Sequence, residues 1–219
     1  SHAGGSTHGS EPGQPGALRN GLSVPSGPLE VPLRGTYTID PNGGDFPDFT
    51  TAGDALSERG IESNVRFRVA SGTYTDTVSI GPLNFACEAN PKSSVEFVSQ
   101  AANPVAVELT SVQDGGDATF TLVGPANVRL NQMTVSASGN TPNAVVTAAD
   151  ADQLYLDSVP VRGHLVNNGR LLLESPLNVG GNLENNGDFN HAGLTITLDG
   201  TSPQAIRGDF SSLTNYFDD

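Results

Sequence analysis

Apolar residues along this chain come in short alternating runs that restart at a fixed phase. Val128, Leu130, Met133 and Val135 return at an offset of 26 as Leu154, Leu156, Val159 and Val161. The segment Val161-Arg162-Gly163-His164-Leu165-Val166-Asn167-Asn168-Gly169 returns at an offset of 18 as Val179-Gly180-Gly181-Asn182-Leu183-Glu184-Asn185-Asn186-Gly187. Alternation puts one set of side chains on one strand face. A restart at fixed phase predicts stacked coils, because one coil cannot bury its inner face alone. Upstream, Val65, Phe67 and Val69 alternate with Arg66 and Arg68, and Tyr74, Val78 and Ile80 follow Gly72. Val95 to Val98, Val105 to Leu109 and Phe120 to Leu122 supply further strands. Gly, Pro, Asn or Asp bounds each run, which gives about three strands per turn of an all-β, parallel β-helix.

One segment carries helical spacing instead. Phe49, Ala52 and Leu56 share a helical face, with Asp48 placed as N-cap and Gly60 as the C-terminal stop. A single short helix near 48–60, ahead of many strands, is predicted to cap the open first coil, whose strand edges would otherwise be exposed.

The amino-terminal stretch reads differently. Residues 1–17 are rich in Gly, Ser and Pro with no large aliphatic residue, a composition that cannot bury enough surface to fold alone. Leu18, Leu22, Val24, Leu29, Val31 and Leu33 then recur at strand-like spacing among Pro25, Pro28 and Pro32, which suits an edge. We read residues 1–34 as an arm and residues 35–219 as the β-helix. The arm is laid either along its own body or on a neighbouring subunit by β-augmentation.

Composition narrows the partners. Twenty-four acidic against ten basic residues give a net charge of −14, which repels nucleic-acid phosphates and anionic lipid surfaces. No run approaches the length of a membrane span, and no basic-then-apolar leader opens the chain, so a secreted protein would stand here in its mature form. Cys87 is the only cysteine, which rules out an intrachain disulfide and leaves a small buried hydrophobe. Stacked ladders would supply the cohesion that disulfides give other secreted domains.

Gly35 to Leu56 (GTYTIDPNGGDFPDFTTAGDAL), followed by Val65 to Ile80 (VRFRVASGTYTDTVSI), resembles the start of pectin-lyase-like right-handed β-helices, and pectin methylesterases begin similarly. The later LVNNGRLLL and NLENNGDFN, followed by LTITLDGTSPQAI, resemble repetitive secreted bacterial surface proteins on that fold. The resemblance covers about residues 35–215, rests on pattern, and implies a right-handed coil. The methylesterase likeness would also imply two aspartates on adjacent coils, an arginine and oxyanion-stabilising glutamines. Their Gln-Asp-Thr and Asp-Phe-Ile-Phe-Gly segments are absent, and no catalytic residue carries over.

The remaining chemistry is sparse. Asp150 and Asp152 align in the longer repeat with Gly124 and Ala126, so the preceding coil offers no second carboxylate for acid-base work. Asp40, Asn42, Asp45 and Asp48 around Gly43-Gly44, and Asp114 and Asp117 around Gly115-Gly116, offer oxygens as a calcium loop does. Neither group has full EF-hand spacing or its bidentate Glu, and turns account for both. His2, His8, His164 and His191 show no metal-ligand spacing. Asn167, Asn168, Asn185 and Asn186 are the most repeat-locked polar residues, and their side-chain amides are expected to stack as a corner ladder, in turns that Asn's tolerance of left-handed conformations suits.

These readings lead to a secreted or cell-surface structural protein without enzymatic activity, catalytic residues, metal or cofactor. Self-association through the arm would build an extracellular fibre. The alternative is a β-helix module that binds or cleaves polysaccharide, against which stands the absence of Trp and the presence of only four Tyr to stack on sugars.

Overall fold

A computed structural model describes residues 31–83, 93–113 and 117–210. The first coil holds β1 (Leu33–Ile39) and helix α1 (Phe49–Arg59). Complete three-strand coils follow: β2 (Ile61–Val69), β3 (Gly72–Thr75) and β4 (Val78–Ile80), then β5 (Ser94–Ser99), β6 (Val107–Val112) and β7 (Ala118–Leu122). Next come β8 (Asn127–Asn131), β9 (Thr134–Ser138) and β10 (Asn143–Thr147), then β11 (Gln153–Asp157), β12 (Val161–Arg162) and β13 (His164–Asn167). The last two coils are β14 (Arg170–Leu173), β15 (Leu177–Val179) and β16 (Leu183–Asn185), and β17 (Asp188–Asn190), β18 (Ile196–Leu198) and β19 (Ile206–Gly208). Every pairing is parallel, and successive coils add one strand to each of three sheets. The chain is a right-handed parallel β-helix with a capping helix.

The sequence offsets are the pairing register. Val128 pairs with Leu154 and Leu130 with Leu156 in the first sheet, and Val135 pairs with Val161 in the second. Val161 pairs with Val179, and Leu165 and Asn167 pair with Leu183 and Asn185. Coils shorten along the chain: Val95 pairs with Val128, whereas Leu171 pairs with Phe189, little more than half as far along the sequence. The core follows this taper. Wide early coils are filled by aromatics, with Phe67 and Phe97 stacked 4.9 Å apart and Phe49 5.5 Å from Phe97. The coils of β8 to β16 close around Leu and Val.

Helix α1 forms where the sequence places it. The Asp48 carboxylate accepts from the Thr51 N–H at 2.7 Å, and Gly60, at φ 66°, donates its N–H to the Leu56 carbonyl. Its buried face carries Phe49, Ala52, Gly53 and Leu56. A Cβ at Gly53 would lie 3.6 Å from Val78 Cγ1 and 3.8 Å from Ile80 Cδ1, so the helix rests on β4 and closes the amino-terminal end of the third sheet.

Three local expectations change. Leu33, assigned from sequence to the arm, is instead the first residue of β1: it is fully buried and pairs with Ile61, because the alternation turns it inward despite the preceding Pro32. Val105 is exposed, and β6 begins at Val107. Among the described residues, the left-handed corner residues other than Gly are Ala102, Gln132, Ser158 and Ala192, not the asparagines. Of the other proposed arm residues, Val31 is exposed and its carbonyl accepts from Arg59 Nε at 2.8 Å. Leu18, Leu22, Val24 and Leu29 lie outside the described residues, as do Cys87 and Asp114.

Glycine substitutions test the stacking directly. Gly53→Ala is expected to stabilise by about 1 kcal/mol, the helix-propensity gain, since its Cβ meets only ordinary contacts. Gly169→Ala is expected to destabilise, since its Cβ would strike the Ala148 carbonyl and lie 2.9 Å from Ala151 Cβ. Urea denaturation of both variants checks the opposite signs.

Candidate functional site

Three groups of polar side chains are candidates for function among the described residues: one inside the coil, one on the first sheet's outer face, and one at the corner between the second and third sheets. The inner group starts at Thr147, the last residue of β10, which stacks on Asn167 and then Asn185. All three are fully buried. Thr147 Oγ1 donates to Asn167 Oδ1 at 2.6 Å and accepts from the Asn168 and Gly169 N–H groups at 3.1 and 3.0 Å. Asn167 Nδ2 donates to Asn185 Oδ1 at 2.7 Å, and Asn185 Nδ2 donates to the carbonyls of Asp209 and Gly187. A second, solvent-facing rung joins Asn186 Nδ2 to Asn168 Oδ1 at 3.0 Å. The amides line up because the shorter repeat sets equivalent residues on adjacent coils. Buried amides are tolerated there because each finds a partner one coil away.

On the outer face of the first sheet, arginines meet acids from other coils. Arg34 pairs with Glu62, Arg66 with Glu96 and Arg170 with Asp188, at 3.1, 3.1 and 3.2 Å. Arg129 donates to Glu174 at 2.8 Å and lies 5.2 Å over the Tyr155 ring. A shallow groove of about 340 Å³ passes here. Its aromatic face is already covered by the guanidinium, and the Tyr155 hydroxyl is bonded to Gln153 at 2.9 Å.

The third group surrounds a cleft of about 510 Å³ that includes Arg162, His164, Gly180, Asn182, Asp199 and Gln204. Only Gly163 separates β12 from β13, so the corner is tight. His164 Nδ1 accepts the Asn182 N–H from the next coil at 2.9 Å, which places the neutral ring's proton on Nε2, and burial pushes the imidazole pKa down. Gln204 fixes the far wall: Oε1 accepts from the Gly200 N–H, and Nε2 donates to the carbonyls of Val179 and Gly181. Among the described residues, the acid nearest Arg162 is Glu108, at 3.9 Å. Sequence reasoning passed over this corner, although the alignment of Arg162 with Gly180 in the shorter repeat marks a missing side chain in an outward row.

Asp40, Asp45 and Asp150 serve turns and loops. Asp45 Oδ2 accepts from the Thr38 N–H at 2.7 Å, Asp40 Oδ1 from the Asn42 N–H at 2.8 Å, and Asp150 Oδ1 from the Gly124 N–H at 3.1 Å. Asp152 and Asp117 are exposed. Asp76, missed in the sequence, accepts from the Phe49 N–H at 3.3 Å and so supports the α1 N-terminus from the next coil; burial raises its pKa. Burial also raises the Tyr74 phenol, with Asp40 and Asp76 adding to the effect. His191 Nδ1 lies 3.1 Å from the Leu194 carbonyl, far along the chain from His164. Among the described residues, no three His, Cys, Asp or Glu side chains gather as metal ligands, and no helix is long and apolar enough to cross a membrane. No family model, curated protein or solved structure matches the chain.

The two ladders differ in burial, and so in energetic weight. Asn167→Ala would strand Thr147 and Asn185 inside the coil and is expected to cost about 1–3 kcal/mol or more. Asn186→Ala, on the exposed rung, is expected to cost about 0.5 kcal/mol or less. Chemical denaturation of the two variants measures the difference.

Proposed function

We propose that this chain is a structural β-helix without catalytic activity, secreted or displayed at a cell surface, and a subunit of an extracellular fibre assembled through its arm. The observation that carries the reading is where the polar side chains are engaged. The amide ladder, the arginine pairs of the first sheet and the His164 bond all join different coils. Such bonds lend cohesion to a rod. Asp40, Asp45, Asp48 and Asp150 brace turns or a helix end, which is the work of a scaffold.

The acidic composition supports an exposed setting, since high net charge keeps an elongated body from associating nonspecifically. Parallel ladders need no disulfides, in keeping with one cysteine. The fibre reading adds that the arm joins the body at β1, the outermost strand of the first sheet, where a neighbour's contact could be passed into the stack.

Light scattering and negative-stain electron microscopy test assembly. The intact chain is expected to form end-joined particles, and a variant beginning at Val31, which keeps β1 whole, is expected to remain single. Monomers from the intact chain would overturn the fibre reading. Release of reducing ends from pectin-like polymers would overturn the absence of catalysis.

A further inference from the structure

We infer that the cleft over Gly180 binds a neutral polyhydroxylated ligand, a short glycan segment. Strand register builds the outward row of this cleft. Arg162 stacks on Ser136, and continuing the pairings of Val161 with Val179 and of Val179 with Leu198 places Gly180 beside Arg162 and Asp199 beyond it. An outward row therefore runs from a cation, across a residue with no side chain, to an anion. Two strand spacings separate the charged residues' backbones by about 9.5 Å, enough for a ring between side chains that lean inward. Gly180 leaves that gap open, and a Cβ there would crowd the Arg162 Cα at 3.3 Å.

The walls are fixed before any ligand arrives. Gln204 holds the 199–205 turn through three hydrogen bonds. Asn182 is held through its Oδ1, which accepts from the Ala205 N–H at 2.8 Å, and its N–H fixes the His164 ring. Such bonds lower the ordering cost of binding. Capacity remains on the Asn182 side-chain NH₂, the His164 Nε2–H, the Arg162 guanidinium and the Asp199 carboxylate, which makes no ion pair among the described residues.

This set selects against other ligand classes. An anion would gain Arg162 but face Asp199, and a cation the reverse. An apolar ligand would find a glycine floor and no Phe, Tyr or Trp ring among the lining residues. Vicinal hydroxyls both donate and accept, so one can take N–H donors from Arg162, His164 or Asn182 while its neighbour donates to Asp199. The role inferred for the site is binding, independent of fibre assembly.

The test is a ¹⁵N NMR titration of the full chain with three neutral trisaccharides, maltotriose, cellotriose and N,N′,N″-triacetylchitotriose, at millimolar concentration. Shifts at the amides of Gly163, Gly180, Gly181, Asn182 and Gly200 with at least one of them are the expected result. Arg162→Ala and Asp199→Ala, both at exposed positions, are each expected to weaken that binding about tenfold while leaving the other resonances in place. Trigalacturonate and alanine serve as the anionic and zwitterionic arms. No shift with any neutral trisaccharide, tighter binding of either charged probe, or parental affinity in both variants would overturn the inference.

Discussion

Each coil of this chain can bury its inward side chains only against the coils before and after it, and the parallel register this requires sets each residue on its own equivalent. Aliphatics on aliphatics and amides on amides satisfy one another, as Leu165 on Leu183 and Asn167 on Asn185 do. Like charges do not. The outer row of the first sheet therefore runs Arg66, Glu96, Arg129 and then Tyr155, alternating sign before turning aromatic. Each surface pair adds only about 0.2–1 kcal/mol. Their larger effect is to keep a stack of equivalents free of repulsion.

The shortening of the coils explains much of the rest. Long early coils enclose more space and fill it with Phe49, Phe67, Phe97 and Phe120, whereas the later ones close around Leu and Val. Tighter coils turn on residues without side chains: a Cβ at Gly181 would fall 2.5 Å from the Gly163 carbonyl carbon, and one at Gly187 would strike the Gly169 carbonyl. Between the 139–142 turn and the 199–205 turn, these bare corners leave the cleft. Cohesion and the candidate site thus share one cause, the glycine columns of short coils.

The sequence shows what repeats and hides what does not. The longer and the shorter offset are legible because equivalent side chains have equivalent surroundings, and they equal the register of β8 with β11 and of β13 with β16. Helix α1 is legible from its caps. Thr147 escapes as the first member of the amide ladder because its spacing to Asn167 matches neither repeat and it is a different residue type. The asparagines read as corners, yet Asn167 and Asn185 end strands and face inward, while Gln132 and Ser158 turn left-handed at equivalent places one coil apart. The cleft depends on a gap, which hydrophobic pattern does not record.

Stability in such a stack should be local, since a coil with two neighbours is held on both sides and a terminal coil on one. Among the described residues, α1 supplies the second partner at the amino-terminal end, and in the coil of β17 to β19 Ile196 and Leu198 remain partly exposed and Ile206 is 41% exposed. Native-state hydrogen exchange, resolved amide by amide, tests this most directly. Protection should be greatest in β5, β8 and β11 and fall stepwise through β14 to β17. Uniform protection from β5 to β17, or stronger protection in β17 to β19 than in β8 to β10, would contradict the account.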